Sequence, residues 1–138
     1  METLDPHPRG WYRVLVIDDD PDIGRLIRTI LELEGYEVVL SDDGSRGLAI
    51  AQRQRPDVIV LDLMMPVMDG FEALTHLRKD ARTNDIPVLV LTAVALQDSR
   101  RRALEAGATM YLTKPFDGTQ FSGAVAAAIA DRGASSAG

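Results

Sequence analysis

Pro56-Asp57-Val58-Ile59-Val60-Leu61-Asp62 is a short apolar run that finishes on a carboxylate. It reads as a buried strand that delivers one acidic side chain to the edge of a sheet. Leu63-Met64-Met65-Pro66 follows, and Val67-Met68-Asp69-Gly70 reads as a loop opening the next helix. Taken alone, Asp62 fits a plain loop-capping role, since aspartates at strand ends commonly satisfy turn backbone. The rest of the chain changes its meaning.

The same pattern recurs on both sides of this stretch. Arg13-Val14-Leu15-Val16-Ile17 is a continuous apolar run, as expected of a strand buried on both faces of a parallel sheet, and it ends in Asp18-Asp19-Asp20. Asp20-Pro21 has the form of an N-cap followed by proline at the first helical position. Ile23, Leu26, Ile27, Ile30 and Leu33 continue that helix until Gly35 stops it. Tyr36 to Leu40 is a second strand, and Asp42-Asp43-Gly44 opens a weaker helix with Leu48 and Ala51 inward. Gly47, inside that helix, is expected to cost roughly 1 kcal/mol relative to alanine. A third helix uses Phe71, Leu74 and Leu77 and places Arg78 and Lys79 near its C-terminus, where cations are favoured. Val88 to Leu91 is a fourth strand ending at Thr92. A fourth helix from about Gln97 to Ala106 stops at Gly107, and its Arg100-Arg101-Arg102 run reads as a solvated face. Thr109 to Leu112 is a fifth strand, followed by Thr113-Lys114-Pro115-Phe116. Asp117-Gly118-Thr119-Gln120 has capping-box spacing before a last helix striped by Phe121, Val125 and Ile129.

Five strands alternating with five helices imply an α/β, doubly wound parallel sheet, a flavodoxin-like three-layer sandwich with strand order 2-1-3-4-5. The expected organisation is a flexible leader over 1–12, one domain over 13–132, and a tail or linker start over 133–138. A chain of 138 residues fits one domain, and 46% hydrophobic with 26% charged residues is ordinary globular composition. Without cysteine there is neither a disulfide nor a thiolate metal site, which suits a reducing, cytoplasmic setting. A formal charge of −6 speaks against direct nucleic-acid binding, and no apolar run reaches the length of a membrane span. His7 and His76 lack a ligand pattern and are expected at the surface.

In this topology the C-terminal ends of strands one, three, four and five open on one edge of the sheet. They carry Asp18 and Asp19, Asp62, Thr92 and Lys114. Clustered carboxylates repel unless a cation sits among them. Lys114 supplies one positive charge, and a site of few carboxylates on open loops suits Mg²⁺ better than Ca²⁺. An ionised aspartate beside Mg²⁺ and a lysine is equipped to attack phosphorus, with Thr92 donating to the bound phosphoryl group.

At this point the chain resembles the receiver domain of two-component response regulators, over roughly Arg13 to Arg132. The resemblance rests on Val14-Leu-Val-Ile-Asp18-Asp19-Asp20, Val58-Ile-Val-Leu-Asp62 through Pro66 to Gly70, Val88-Leu-Val-Leu-Thr92-Ala93, and Gly107 to Phe116. It implies that Asp62 accepts a phosphoryl group from a histidine of a sensor kinase or phosphotransfer protein. It further implies that Asp19 ligates Mg²⁺ directly, Asp18 acts mainly through metal-bound water, and the Met64 backbone carbonyl completes the ligands. Lys114 would contact the phosphoryl group, with a cis bond to Pro115. Thr92 and Tyr111 would form a switch pair that alters the face of helix four, strand five and helix five. That face would engage a downstream protein or an output domain outside this chain, or a second copy in a phosphorylation-dependent dimer.

Met64, two residues after Asp62, and Val94, two after Thr92, are expected to flank the path of an attacking water. Both are apolar, so slow loss of phosphate is expected, while the small Ala93 leaves access open. Three other functions compete with this reading. A phosphatase working through an aspartyl-phosphate needs a second acid where Met64 stands. An FMN carrier needs a phosphate loop where Asp18-Asp19-Asp20 is electrostatically wrong. A docking-only pseudo-receiver has no use for the intact acids, Thr92 and Lys114.

Overall fold

The computed structural model describes residues 11–65, 68–93 and 97–137. Five strands, β1 (Arg13–Ile17), β2 (Glu37–Ser41), β3 (Val58–Leu61), β4 (Val88–Thr92) and β5 (Met110–Thr113), form one parallel sheet in the order β2-β1-β3-β4-β5. They alternate with α1 (Pro21–Leu33), α2 (Gly44–Gln54), α3 (Gly70–Lys79), α4 (Gln97–Glu105) and α5 (Gly118–Ala137). This is the doubly wound sandwich expected from the alternation. Strand parity divides the core. Val14, Val16, Val58, Val60, Leu89 and Leu91 pack with α1 and α5. Leu15, Ile17, Ile59, Leu61, Val88 and Val90 pack with α2, α3 and α4. Every strand residue in the centre therefore meets a helix on one side or the other, which is why these runs are apolar throughout.

The helix starts follow local chemistry. Asp20 accepts from the backbone N–H groups of Asp22 (2.9 Å) and Ile23 (3.4 Å), with Pro21 opening α1. Asp43 caps α2 and Asp69 caps α3. Asp117 accepts from Thr119 (2.7 Å) and Gln120 (3.1 Å) at the head of α5. Gly35 and Gly107, at φ 93° and 113°, take the left-handed conformation that ends α1 and α4.

Several details depart from the sequence reading. On α1 the buried residues are Gly24, Ile27 and Leu31, whereas Leu26 and Leu33 are exposed. The apolar arc of this helix is wider than the strip that the sheet and α5 cover. Gly47 is required rather than merely tolerated: a Cβ there would lie 2.5 Å from Ile17 Cδ1, so its absence lets α2 settle on β1. The leader expected over 1–12 reaches outside the described residues at 1–10, but Tyr12 is tied in, its carbonyl accepting from the Glu37 N–H at 2.9 Å. The backbone of α5 runs to Ala137, through residues expected as a tail, because alanine and serine there continue a helix at low cost; Gly138 lies outside the described residues. His76 is exposed, as expected.

Arg78 does more than complement a helix dipole. Half-buried, it donates to the carbonyls of Ile86 (2.7 Å), Gly107 (2.9 Å) and Asn84 (3.2 Å), joining α3 to the chain before β4 and the turn after α4. Burial pulls its pKa down and Asp85 opposes this. The guanidinium nonetheless stays charged, as arginine does throughout proteins. Arg78→Ala should cost about 2–3 kcal/mol by leaving these carbonyls without their donor. Chemical denaturation of both proteins measures it, and a loss within experimental error of zero would refute the clamp. The arginine run of α4 is exposed, with the Arg102 guanidinium 4.2 Å from the centre of the Phe71 ring on α3.

Candidate functional site

The site forms where the parallel ladder continues one residue past the strand ends. The Asp18 N–H donates to Ser41 O (3.0 Å), that of Asp62 to Ile17 O (3.0 Å), and that of Lys114 to Thr92 O (2.8 Å). These bonds align Asp18, Asp62 and Lys114 along one edge without help from their side chains. Asp18 and Asp62 are buried, Asp19 is exposed, and each offers a carboxylate oxygen within 4.8 Å of the others.

Each buried carboxylate is held at both oxygens. Asp18 Oδ1 accepts from the Asp20 N–H at 2.9 Å, and its Oδ2 accepts from Lys114 Nζ at 3.0 Å. Asp62 Oδ1 accepts from the Met64 N–H at 3.1 Å, while its Oδ2 stands 3.5 Å from Lys114 Nζ. Lys114 thus bridges two acids but sits closer to Asp18. The Lys114–Pro115 peptide bond is cis.

The charges do not balance. Burial lifts the Asp62 carboxyl above its ordinary pKa, the Met64 N–H pulls it down, Asp18 adds to the lift, and Lys114 opposes it. Burial by itself would lower the Lys114 pKa, but Asp18 and then Asp62 outweigh it, so the ammonium is held above its usual value. One firmly protonated lysine faces three acids, so the cluster carries excess negative charge. That donor set, hard oxygens from three carboxylates on an open edge, fits Mg²⁺.

Thr92 is fully buried at the end of β4 and shares a sheet face with Val90. Tyr111 pairs with Val90 across β4 and β5 and packs half-buried against the same core layer. Thr92 and Tyr111 therefore share the α2–α3–α4 side of the sheet, offset diagonally because Thr113 is the direct partner of Thr92. Ala93 is exposed, while Pro66 and Val94 lie outside the described residues.

The family model of the response regulator receiver domain matches residues 14–126. The chain belongs to this family. The receiver is 50% identical over 105 residues to the "DNA-binding dual master transcriptional regulator RpaA" of Synechocystis, covering 76% of this chain and 44% of that protein. It therefore spans under half the length of that relative. Among solved structures it is similar to the chemotaxis protein CheY4 of Vibrio cholerae, with a TM-score of 0.81 and 34% identity, over 86% of this chain and 98% of that one. It is also similar to the receiver domain of sensor histidine kinase PA1611 from Pseudomonas aeruginosa, described with a magnesium ion coordinated in the active site cleft. There the TM-score is 0.81 and the identity 34%, over 87% of this chain and 98% of that one. Receivers are signalling phosphoacceptor domains of two-component systems. Among the described residues, no helix of this receiver is long and apolar enough to cross a membrane.

Gly70, which the sequence marks only as part of a helix-opening loop, also supports the site. A Cβ on Gly70 would lie 2.5 Å from Leu63 Cα and 2.6 Å from Asp62 O, so the first turn of α3 rests directly on the backbone that carries the acid. Its N–H donates to Leu63 O at 3.0 Å. The signal was present as Asp69-Gly70 at a helix start, but the spacing marks only a turn and carries no information about what approaches it.

Proposed function

We propose that this receiver takes a phosphoryl group onto Asp62 from a phosphohistidine of a sensor kinase or phosphotransfer protein. The observation that carries the reading is Asp62 itself: a buried carboxylate, oriented by the Met64 N–H, beside a protonated lysine and two further acids. Asp18, Asp19 and Asp62, with the Met64 backbone carbonyl, would hold Mg²⁺. The bound ion would neutralise charge on the phosphoryl oxygens.

The side chains carry the remaining roles. A carboxylate oxygen of Asp62 attacks phosphorus in line, the P–N bond to the donor histidine breaks, and the imidazole leaves to take up a proton from water. Lys114 moves part of its charge from Asp18 to the arriving phosphoryl oxygens, and the Thr92 hydroxyl donates to one of them. Thr92 and Tyr111, on one face of β4 and β5, then transmit the change to the surface of α4, β5 and α5. That surface would meet a downstream protein, an output domain in a longer chain of the kind RpaA represents, or a second copy. We place the domain at 13–132 and the protein in the cytoplasm.

Incubation with Mg²⁺ and acetyl phosphate, followed by intact mass and peptide mapping, tests the chemistry. One added phosphoryl group on Asp62 that disappears when Mg²⁺ is chelated is the expected result. No labelling would leave a docking-only domain, and continuous turnover of small phosphoesters would make it a phosphatase.

The apolar Met64 and Val94 give no group to orient an attacking water, so the phosphoryl group should persist. Val94→Glu should shorten its half-life by about tenfold, below the roughly hundredfold at which a fully positioned acid–base group begins. A wild-type protein that already loses phosphate as fast as the variant would refute this.

A further inference from the structure

We propose that Met64 is a peroxide-sensitive modification site whose oxidation shortens the life of the phosphorylated receiver. The inference rests on the phosphoacceptor role of Asp62 proposed above. Asp62, Leu63 and Met65 are buried, but Met64 between them is 60% exposed. Met65 is buried, and Met68 and Met110 are partly covered, so Met64 presents its thioether most openly among the described methionines. It does so from the residue whose backbone N–H holds the Asp62 carboxylate at 3.1 Å. The core has no claim on this side chain, which is a poor arrangement for stability and a good one for reaction with solvent.

A hydroperoxide oxidises a thioether by a two-electron step. The sulfur lone pair attacks the terminal oxygen and the O–O bond breaks. Sulfur is oxidised to the sulfoxide, and the peroxide is reduced to water or an alcohol. The product replaces a flexible apolar chain with a polar hydrogen-bond acceptor. Next to an aspartyl-phosphate, that acceptor can orient the water which the native methionine leaves unguided. In hydrolysis the water oxygen bonds to phosphorus and the bond from phosphorus to the Asp62 oxygen breaks. The carboxylate is regenerated and phosphate departs with the water's hydrogens. Oxidation would thus reset the signal without touching an acid, the lysine or the threonine.

The test treats the full chain with dilute hydrogen peroxide and maps oxygen addition by peptide mass. Treated and untreated protein are then loaded with acetyl phosphate and Mg²⁺, freed of donor, and followed by intact mass. Oxygen should appear on Met64 before Met65, Met68 or Met110, and the half-life should fall about three- to tenfold, less than the roughly hundredfold of a positioned acid–base group because a sulfoxide only orients the water. In Met64→Leu, treated and untreated samples should share one half-life, whatever its baseline. Earlier oxidation of Met65, Met68 or Met110, an unchanged or longer half-life, failure of the treated protein to load, or equal shortening in Met64→Leu would each overturn the proposal. Untreated protein that takes up no phosphoryl group would instead overturn the reading of Asp62, and this inference with it.

Discussion

Asp62→Asn should abolish Mg²⁺-dependent phosphoryl uptake and, in the same protein, raise the melting temperature measured without metal. The first effect follows from losing the nucleophile. An amide oxygen does not attack phosphorus usefully, and the labelled mass should fall below detection. The second follows from the environment of the carboxylate. Burial lifts its folded-state pKa above the unfolded value, so the unfolded chain releases its proton first as pH rises. Stability contributed at this position is therefore greatest below the ordinary carboxylate pKa. It declines as pH rises toward the folded pKa, and once Asp62 ionises its burial becomes a cost to the fold. A neutral amide escapes that cost, and Lys114 keeps its 3.0 Å contact with Asp18. The gain should be about 1 kcal/mol, or roughly 3 °C in a domain of this size. Mg²⁺ should then stabilise the wild type more than the variant, because ligand linkage favours whichever protein holds more of the donor set. Thermal melts with Mg²⁺ and with chelator decide it. A variant that melts lower than wild type without metal would show that Asp62 is stabilising where it stands.

Gly70→Ala should produce the second large effect, through shape instead of charge. Its new Cβ meets Leu63 Cα and Asp62 O at 2.5 and 2.6 Å, both backbone atoms that no rotamer change can move. Either α3 lifts from the loop or the Asp62–Leu63 peptide shifts, at a cost of about 2–3 kcal/mol. Displacement of this peptide also misplaces the Asp62 carboxylate, so phosphoryl uptake should slow by an order of magnitude or more. Gly47→Ala provides the contrast. Its Cβ would meet only the Ile17 side chain, Cδ1 at 2.5 Å and Cγ1 at 2.7 Å, and no backbone atom of the acceptor loop. That variant should lose stability while taking up phosphoryl at closer to the normal rate. Equal uptake rates for Gly70→Ala and wild type would mean that α3 does not seat the acceptor loop.

Much of this architecture is legible in the sequence because it is local. Asp20-Pro21, Asp69-Gly70 and Asp117 to Gln120 carry their helix starts within four residues, and Gly35 and Gly107 mark their stops by a conformation that other residues adopt reluctantly. The α1 stripe shows where such reading fails. Ile27 and Leu26 are equally apolar, yet one is fully buried and the other 48% exposed, since the sheet and α5 cover only part of the arc. Arg78 reads from the sequence as a helix-end cation, but its three carbonyl partners lie 6, 8 and 29 residues away and leave no local trace.

That acids, a hydroxyl and a lysine terminate four apolar strands can be read from residue order alone. A side chain's place at the end of a strand depends on the run before it, and alternation with helices makes those strands parallel. How those groups share their charge depends on the folded packing. Lys114 approaches Asp18, 96 residues distant, at 3.0 Å and Asp62 at 3.5 Å, and Gly70 supports the peptide of Asp62. Those relations depend on sheet register and on how closely a helix packs over a loop. They are differences of half an ångström between residues far apart in the chain, and the order of residues encodes them only through the folded whole.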